Sequence, residues 1–331
     1  MIAVEPSPEP AAATSAPLSV STHHPIPITL AHRAEYGALR LAVGALERVG
    51  FQRAARFGAR LGALGYRPLG IRRAVVERQL AAAMPDLSSR DVQRIARGAY
   101  AHLGRTSVET AVLPAYGPRD IIALFEEVNG WSIVEERISR GKGLIIVTGH
   151  LGNWELGGAY IAARGLPIDV VARHMANPLF DRYLTRTRQK IGMTVVHDEQ
   201  AVRRVPRSLR DGRVVAFVMD QGAVGLASTW VPFFGRFAKT PRGPAVFALR
   251  LGTPVVFGAA IRQPSGKYRL TFEPIDVTPS GDREADVDRI VAEYTAVLER
   301  WVRRTPEQYL WHHRRWKHQR PGTPPELGNP L

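Results

Sequence analysis

Residues 144–158 read LIIVTGHLGNWELGG, which predicts a short buried strand, a glycine-rich turn and the start of a helix. The apolar run Leu144–Thr148 lies between two glycines, as a strand of a parallel sheet often does. Asn153 is a good N-cap residue, and Glu155 then falls in the first helical turn, where negative charge is favoured. His150 follows the carboxyl end of the strand, the edge at which open α/β sheets bind ligands.

The turn could bring the imidazole of His150 and the carboxylate of Glu155 together. A continuous helix would separate two side chains at this spacing by about 140°. We predict that His150 acts as general base on a hydroxyl group, with Glu155 orienting the ring and stabilising the imidazolium. The spacing alone is a weak signal, because it also fits a histidine satisfied within a turn and a glutamate that only favours the helix start. It does not match the H-E-x-x-H pattern of a zinc site.

Composition limits the classes of function. The 331 residues carry a net charge of +15, which suits an anionic partner such as phospholipid headgroups, nucleic acid or an acidic carrier protein. The chain has no cysteine, so it forms no disulfide and uses no thiolate. Its apolar runs are too short to predict a membrane-spanning helix, and its first 30 residues lack the basic start of a signal peptide.

The chain divides into four predicted parts. Residues 1–30, with six prolines, are predicted to be a disordered tail, and residues 322–331 a second tail. Residues 31–128 are predicted to be a helical, membrane-facing segment. Ten arginines between residues 31 and 80 alternate with apolar positions, a pattern that suits either a helix on an anionic membrane or one packed on the rest of the protein. Residues 129–321 are predicted to be the catalytic domain.

Strand and helix patterns alternate from residue 129 onward. This alternation predicts an α/β fold, with a central, mostly parallel sheet flanked by helices and preceded by the N-terminal helical segment. The predicted strands are Leu144–Thr148, Ile168–Ala172, Thr194–Val196, Val214–Met219, Val255–Ile261 and Tyr268–Asp276, the last of them antiparallel.

Further polar residues follow predicted strands or open helices. Asp220 follows the strand that ends at Met219, so it should share the sheet edge with His150, although an aspartate there is often only a cap or a turn former. Arg173 closes the strand Ile168–Ala172 and could hold a phosphate or an acyl donor in a bidentate manner, or simply pair with Asp181. Arg242 lies at the predicted start of a helix, where phosphate binds well.

The segment 306–317, PEQYLWHHRRWK, interleaves aromatic and basic residues. Such a pattern is found in nucleic-acid-binding surfaces. It also fits a segment that stacks on the fold and directs its arginines toward a membrane or a substrate phosphate.

Five segments together resemble the bacterial lipid A biosynthesis lauroyl/myristoyl acyltransferases of the lysophospholipid acyltransferase superfamily, a group that includes the similar phosphatidylinositol mannoside acyltransferases. The resemblance covers roughly residues 100–321. In chain order the segments are GHLGNWELGG, ARHMANPLFDRYL, MDQG, VPFFGRFAKTPRGPA and PEQYLWHHRRWK.

The resemblance implies the acyltransferase fold and transfer of a fatty acyl chain from acyl carrier protein or acyl-CoA to a lipid hydroxyl. His150 and Glu155 match the family's H-x-x-x-x-D/E pair, the acidic member of which has been assigned a direct part in catalysis. We predict these two as catalytic residues. We predict substrate binding by five others, which are Arg173, Asp220, Arg242, Arg314 and Arg315. No cofactor and no metal ion is expected.

The family usually begins with a hydrophobic membrane helix, whereas this chain has an arginine-rich amphipathic stretch there. We therefore expect peripheral binding to the cytoplasmic face of the inner membrane. The expected partners are an anionic membrane surface, the acyl donor (acyl carrier protein or acyl-CoA) and a membrane glycolipid, most simply a lipid A precursor. Another glycolipid or a lysophospholipid is the alternative acceptor. A basic nucleic-acid-binding protein is the alternative outside enzymes, but no recognised nucleic-acid motif supports it.

Overall fold

The computed structural model describes residues 27–222 and 227–331. The predicted tail of residues 1–30 therefore lies almost wholly outside the described residues. The described parts form eleven α-helices and nine strands. Five helices come first: α1 (Leu30–Glu47), α2 (Phe51–Tyr66), α3 (Arg73–Ala83), α4 (Ser89–Val112) and α5 (Pro118–Ala123).

Strands and helices then alternate as predicted. The first half of this region contains β1 (Phe125–Asn129), α6 (Trp131–Ser139), β2 (Leu144–Thr148), α7 (Trp154–Ala163), β3 (Ile168–Ala172), α8 (Pro178–Lys190) and β4 (Met193–His197). The second half contains α9 (Ala201–Arg210), β5 (Val214–Val218), β6 (Ser228–Phe233), β7 (Arg236–Pro241), α10 (Gly243–Leu251), β8 (Val255–Arg262), β9 (Tyr268–Ile275) and α11 (Arg283–Arg304).

Seven strands form the central sheet in the order β1-β9-β8-β2-β5-β3-β4. All neighbours are parallel except β8 and β9, which pair antiparallel along their whole length. The α/β prediction, the mostly parallel sheet, the N-terminal helical segment and the antiparallel strand Tyr268–Asp276 are thus confirmed.

Strand β2 is buried on both faces, which explains its uninterrupted apolar sequence. Leu144 and Ile146 pack into a core with α5, α6 and α7, whereas Ile145 and Val147 pack into a second core with α4, α10 and α11. Each of these four side chains is at most 4% exposed. Because both faces are covered by helices, the carboxyl edge of the sheet is where chemistry can reach solvent.

Two elements differ from the sequence expectation. Strand β1 joins the sheet by pairing with β9, so the sheet begins within residues 125–129 rather than after them. The segment around Trp230, which is not among the predicted strands, forms the β6–β7 hairpin, and this hairpin lies apart from the main sheet. Its two turn residues, Phe234 and Gly235, both have positive φ, as tight hairpin turns require.

The N-terminal helices pack closely on the rest of the fold through glycines. A Cβ atom on Gly62 of α2 would lie 2.1 Å from the backbone oxygen of Tyr100 in α4, a separation that no real Cβ tolerates. Helix α4 in turn contributes Ala96 and Ala99 to the core beside the sheet. The helical segment therefore packs directly on the catalytic region.

Candidate active site

His150 and Asp220 meet at the carboxyl edge of the sheet. Strands β2 and β5 are parallel neighbours, with Thr148 opposite Val218, so the residues two positions further along lie side by side. The imidazole Nδ1 of His150 lies 2.7 Å from Oδ1 of Asp220, and the backbone N–H of His150 donates to Oδ2 at 3.0 Å. One carboxylate therefore fixes both the ring and the backbone of His150.

The carboxyl group of Asp220 is ionised. Its side chain is 3% exposed, and this burial alone would raise the pKa. The charge and hydrogen bonds of His150, together with the nearby Arg315, outweigh burial and lower the pKa of Asp220 to about 2. A carboxylate facing Nδ1 requires a proton on that nitrogen, so Nε2 is the ring nitrogen that can gain or lose a proton.

The His150 side chain remains 20% exposed, and the side-chain amide nitrogen of Gln221 lies 3.3 Å from its Nε2. The ring packs edge-on against Trp154, with 4.7 Å between ring centroids. It also borders a small recess formed by α4 and residues 308–310, whose other lining residues include Ala99, Leu103, Thr106 and Leu310.

Tyr309 lies behind the pair. Burial raises the pKa of this phenol well above its usual value, and the charge of Asp220 and a hydrogen bond to it act in the same direction. The phenol therefore stays protonated beside the carboxylate. Asp220 accepts hydrogen bonds from the His150 ring and the His150 backbone.

The position of Glu155 differs from the expected ring-orienting role. Its carboxylate forms a bidentate ion pair with Arg188 of α8, with Nε at 3.0 Å and the second bond at 2.5 Å. Both side chains are largely buried, at 9% and 14% exposure. Asp220, which was predicted only to bind substrate, is the carboxylate that bonds to Nδ1 of His150. The cause is the N-cap at Asn153, which starts α7 at Trp154 and directs Glu155 toward α8.

The turn of residues 149–153, which carries His150, is held from several sides. Gly152 has φ +58°, and a Cβ there would lie 2.0 Å from the oxygen of Ala260, so only glycine fits. Its N–H donates to the oxygen of Gln308, and its oxygen accepts from Nε2 of His102. The N–H of Leu310 donates to the oxygen of His150. The C-terminal segment therefore pairs along the turn as a short extra strand.

A buried network supports Asn153, the N-cap of α7. Its side-chain oxygen accepts from the N–H of Leu156, and its amide donates to Glu109 of α4 at 2.9 Å. Glu109 also accepts from Tyr268 at 2.5 Å and from Arg262 at 3.0 Å. Glu109, which accepts from the side chain of Asn153, is thus itself fixed by two further hydrogen bonds.

Two predicted substrate-binding arginines are paired with carboxylates away from His150. Arg173 follows β3, two strands from β2, and pairs with Asp198 at 3.2 Å while 62% of its side chain remains exposed. Arg242 lies just before α10 and pairs at 2.7 Å with Glu284 of α11. The alternative considered from the sequence, an Arg173–Asp181 pair, is not formed, because Asp181 accepts from His174 and from the N–H of Met175.

The two C-terminal arginines have opposite surroundings. Arg314 is exposed, as substrate binding would require. Arg315 is 5% exposed and donates to the oxygen of Lys239 at 2.7 Å and to the hydroxyl of Thr240 at 2.5 Å. The structure therefore gives Arg315 a different role from the expected one, because its guanidinium joins the C-terminal segment to β7 rather than reaching solvent.

Sequence reasoning missed Arg188. The residue lies in the last turn of α8, 33 positions beyond Glu155, and no local pattern distinguishes it from the neighbouring Arg186. Only the packing of α8 beside α7 identifies it.

Comparison with known proteins gives a match over most of the chain. The family model described as bacterial lipid A biosynthesis acyltransferase matches residues 34–318. The chain belongs to this family. The acyltransferase is 28% identical over 271 residues to the lipid A biosynthesis lauroyltransferase of Escherichia coli strain K12, covering 81% of this chain and 87% of the relative.

Two further relatives show the breadth of the similarity. The acyltransferase is 26% identical to the lipid A biosynthesis palmitoleoyltransferase of Escherichia coli strain K12, over 78% of this chain and 83% of that protein. It is 22% identical to the phosphatidylinositol mannoside acyltransferase of Mycolicibacterium smegmatis, over 54% of this chain and 59% of that protein. The resemblance inferred from the five segments is thereby confirmed.

Proposed function

We propose that this acyltransferase moves a fatty acyl chain from a thioester, either acyl carrier protein or acyl-CoA, to a hydroxyl of a lipid A precursor. The observation that carries the proposal is the His150–Asp220 pair, which holds a partly exposed imidazole at the carboxyl edge of the sheet. The match to lipid A acyltransferases over residues 34–318 supports the choice of acceptor.

In the proposed reaction, Nε2 of His150 takes the proton of the acceptor hydroxyl while its oxygen attacks the thioester carbonyl. The new C–O bond forms, the C–S bond breaks, and the imidazolium returns its proton to the leaving thiolate. An alcohol is a poor nucleophile at neutral pH, and general-base help of this kind contributes about 10²–10⁴ in rate. The ionised Asp220 stabilises the imidazolium and holds the required tautomer.

Glu155 supports this reaction through Arg188 in our proposal. The bidentate pair joins the first turn of α7 to the last turn of α8. Since α7 begins four residues after His150, fixing its start also fixes the turn. Glu155 thus remains a predicted catalytic-site residue, although its contact differs from the expected one.

Peripheral attachment to an anionic membrane is the second part of the proposal. Among residues 27–222 and 227–331, none of the helices combines the length and the hydrophobicity of a membrane span. Of the thirteen large apolar side chains that are exposed in the described part of the chain, nine lie between Ile28 and Ile71, so their exposure is concentrated on one segment. On α2, Phe57, Leu61 and Leu64 share one face, which Arg53 and Arg60 flank. Such a surface suits the cytoplasmic face of the inner membrane.

Sedimentation with vesicles tests this attachment. Phe57→Ser with Leu61→Ser should weaken binding to anionic vesicles, whereas Val202→Ser, which alters an equally exposed apolar side chain on α9, should not. Binding of the wild type should fall as salt rises. Equal binding to neutral vesicles at every salt concentration would contradict the proposal.

The reaction itself is tested by incubating the pure protein with each donor and three kinds of acceptor: a lipid A precursor, another glycolipid and a lysophospholipid. Mass spectrometry of the products should show acylated lipid A precursor. Acylation of only another acceptor would overturn the lipid A assignment, and no product with any pair would overturn the reaction. The nucleic-acid alternative is disfavoured because Trp311 and Trp316 are each 1% exposed and offer no stacking surface.

A further inference from the structure

A cluster of two histidines and an aspartate lies at the edge of the sheet that carries β3 and β4. His174 follows β3, Asp181 lies in the first turn of α8, and His197 ends β4. One possible ligand atom from each residue lies within 4.8 Å of the other two. The three residues come from separate elements, so the fold rather than local sequence brings them together.

The contacts within the cluster are short. Nδ1 of His174 lies 2.7 Å from Asp181, and Nε2 of the same ring lies 3.3 Å from Glu199. The rings of His174 and His197 stack with 3.7 Å between centroids and an interplanar angle of 13°. Two imidazoles stacked so closely beside two carboxylates concentrate nitrogen and oxygen donors in one place.

His197 carries the strongest indication of a missing partner. Its Nδ1 is buried and has no hydrogen-bond partner. An unpaired buried polar atom is costly, and natural proteins rarely leave one without a reason. The nearby Arg173 does not serve it, because that guanidinium pairs with Asp198.

We propose that His174, Asp181 and His197 bind a divalent transition-metal ion of the Zn²⁺ type, with Glu199 or a water molecule as fourth ligand. Imidazole nitrogen and carboxylate oxygen in this number are typical Zn²⁺ ligands, whereas Mg²⁺ and Ca²⁺ prefer oxygen alone. Because stacked rings cannot both direct a nitrogen at one ion, at least one of the two rings must rotate when the ion binds.

This site is separate from the His150 chemistry. It lies two strand spacings from β2, or about 10 Å, so the ion takes no part in acyl transfer. It would instead join the β3–α8 loop to the end of β4. Helix α8, which begins at this loop, carries Arg188 in its last turn.

The test uses the untagged full-length chain, freed of metal with a chelator and titrated with Zn²⁺ by calorimetry. Co²⁺ serves as a spectroscopic probe of nitrogen and oxygen coordination. We expect one equivalent to bind and the melting temperature to rise. His174→Ala and His197→Ala should each weaken binding by more than the about 10–100-fold typical of losing a second-shell partner.

A matched control is the double variant His23→Ala/His24→Ala, which removes two adjacent histidines elsewhere in the chain and should bind as the wild type does. Asp181→Asn, which keeps an acceptor for the N–H of Met175, provides a third ligand variant should a histidine variant fail to fold. No binding by the wild type, or equal binding by the folded ligand variants, would overturn the proposal. So would loss of binding in the control.

Discussion

Replacing Asp220 by asparagine separates the two roles of this side chain. The change keeps the shape, and the amide oxygen can still accept from the backbone N–H of His150. The amide NH₂ then faces Nδ1 of the ring, which favours the tautomer protonated at Nε2, and that nitrogen can no longer accept a proton. A comparable Asp→Asn change in a Ser-His-Asp triad lowers kcat about 10⁴-fold, so we expect a loss of about 10²–10⁴.

The effect on stability follows from the pKa of Asp220. A pKa of about 2 in the folded protein, against the ordinary 3.8, corresponds to about 2 kcal/mol of stabilisation by the ionised group. Because the folded-state pKa is depressed, this stabilisation is present above pH 3.8 and is lost as the pH falls toward 2. The difference in unfolding free energy between wild type and Asp220→Asn should thus shrink below about pH 4.

Asp169→Asn is the matched control. Asp169 is also 3% exposed and is also bound by several donors, but it lies near the start of β3 and pairs with Arg213 and Ser208. Urea denaturation should show a comparable loss of stability for both variants, whereas steady-state kinetics should show a loss of kcat only for Asp220→Asn. The reasoning is refuted if the folded Asp220→Asn enzyme turns over at a near wild-type rate, or if Asp169→Asn loses as much activity.

Three further substitutions test the arginines. Arg188→Lys keeps the charge but loses the bidentate bond to Glu155, so kcat should fall. Adding Glu155→Gln to this variant should lower kcat little further, and losses of kcat that multiply would contradict a shared role. Arg315→Lys should lower the unfolding free energy in urea by about 3 kcal/mol through lost buried hydrogen bonds, with the activity of the folded fraction retained. Arg173→Ala should change stability by less than about 1 kcal/mol, since its ion pair is exposed, but should raise KM; an unchanged KM removes it from the substrate site.

Local sequence patterns predicted most of the sheet but not all of it. Strand β2 was predicted to the residue, because an apolar run between glycines is typical of a strand buried on both faces. Strand β1 was missed because its two adjacent glutamates and its position directly after α5 resemble a continuing helix. The β6–β7 hairpin was missed because its turn places Phe234 at positive φ, which a bulky residue rarely adopts.

The candidate site was likewise predicted only in part. His150 and Asp220 each follow the end of a strand, so the sequence was sufficient to predict that they share an edge of the sheet. The sequence could not show that Asp220, rather than Glu155, faces the His150 ring. This depends on the pairing of β2 with β5 and on the residue at which α7 begins, and both are set by tertiary structure. Arg188 required the packing of two helices, and the burial of Arg315 required the hairpin that was not predicted.

The pairing of residues 308–310 with the catalytic turn has a consequence for how the enzyme matures. During synthesis, β2 and the turn after it are made about 160 residues before Tyr309 and Leu310. Until then the turn lacks two hydrogen bonds, from the N–H of Gly152 to residue 308 and from residue 310 to the oxygen of His150. Folding of the sheet can therefore precede assembly of a competent site. A chain that ends near residue 305 should lack these bonds, and with them the buried Trp311 and Trp316, and should be inactive.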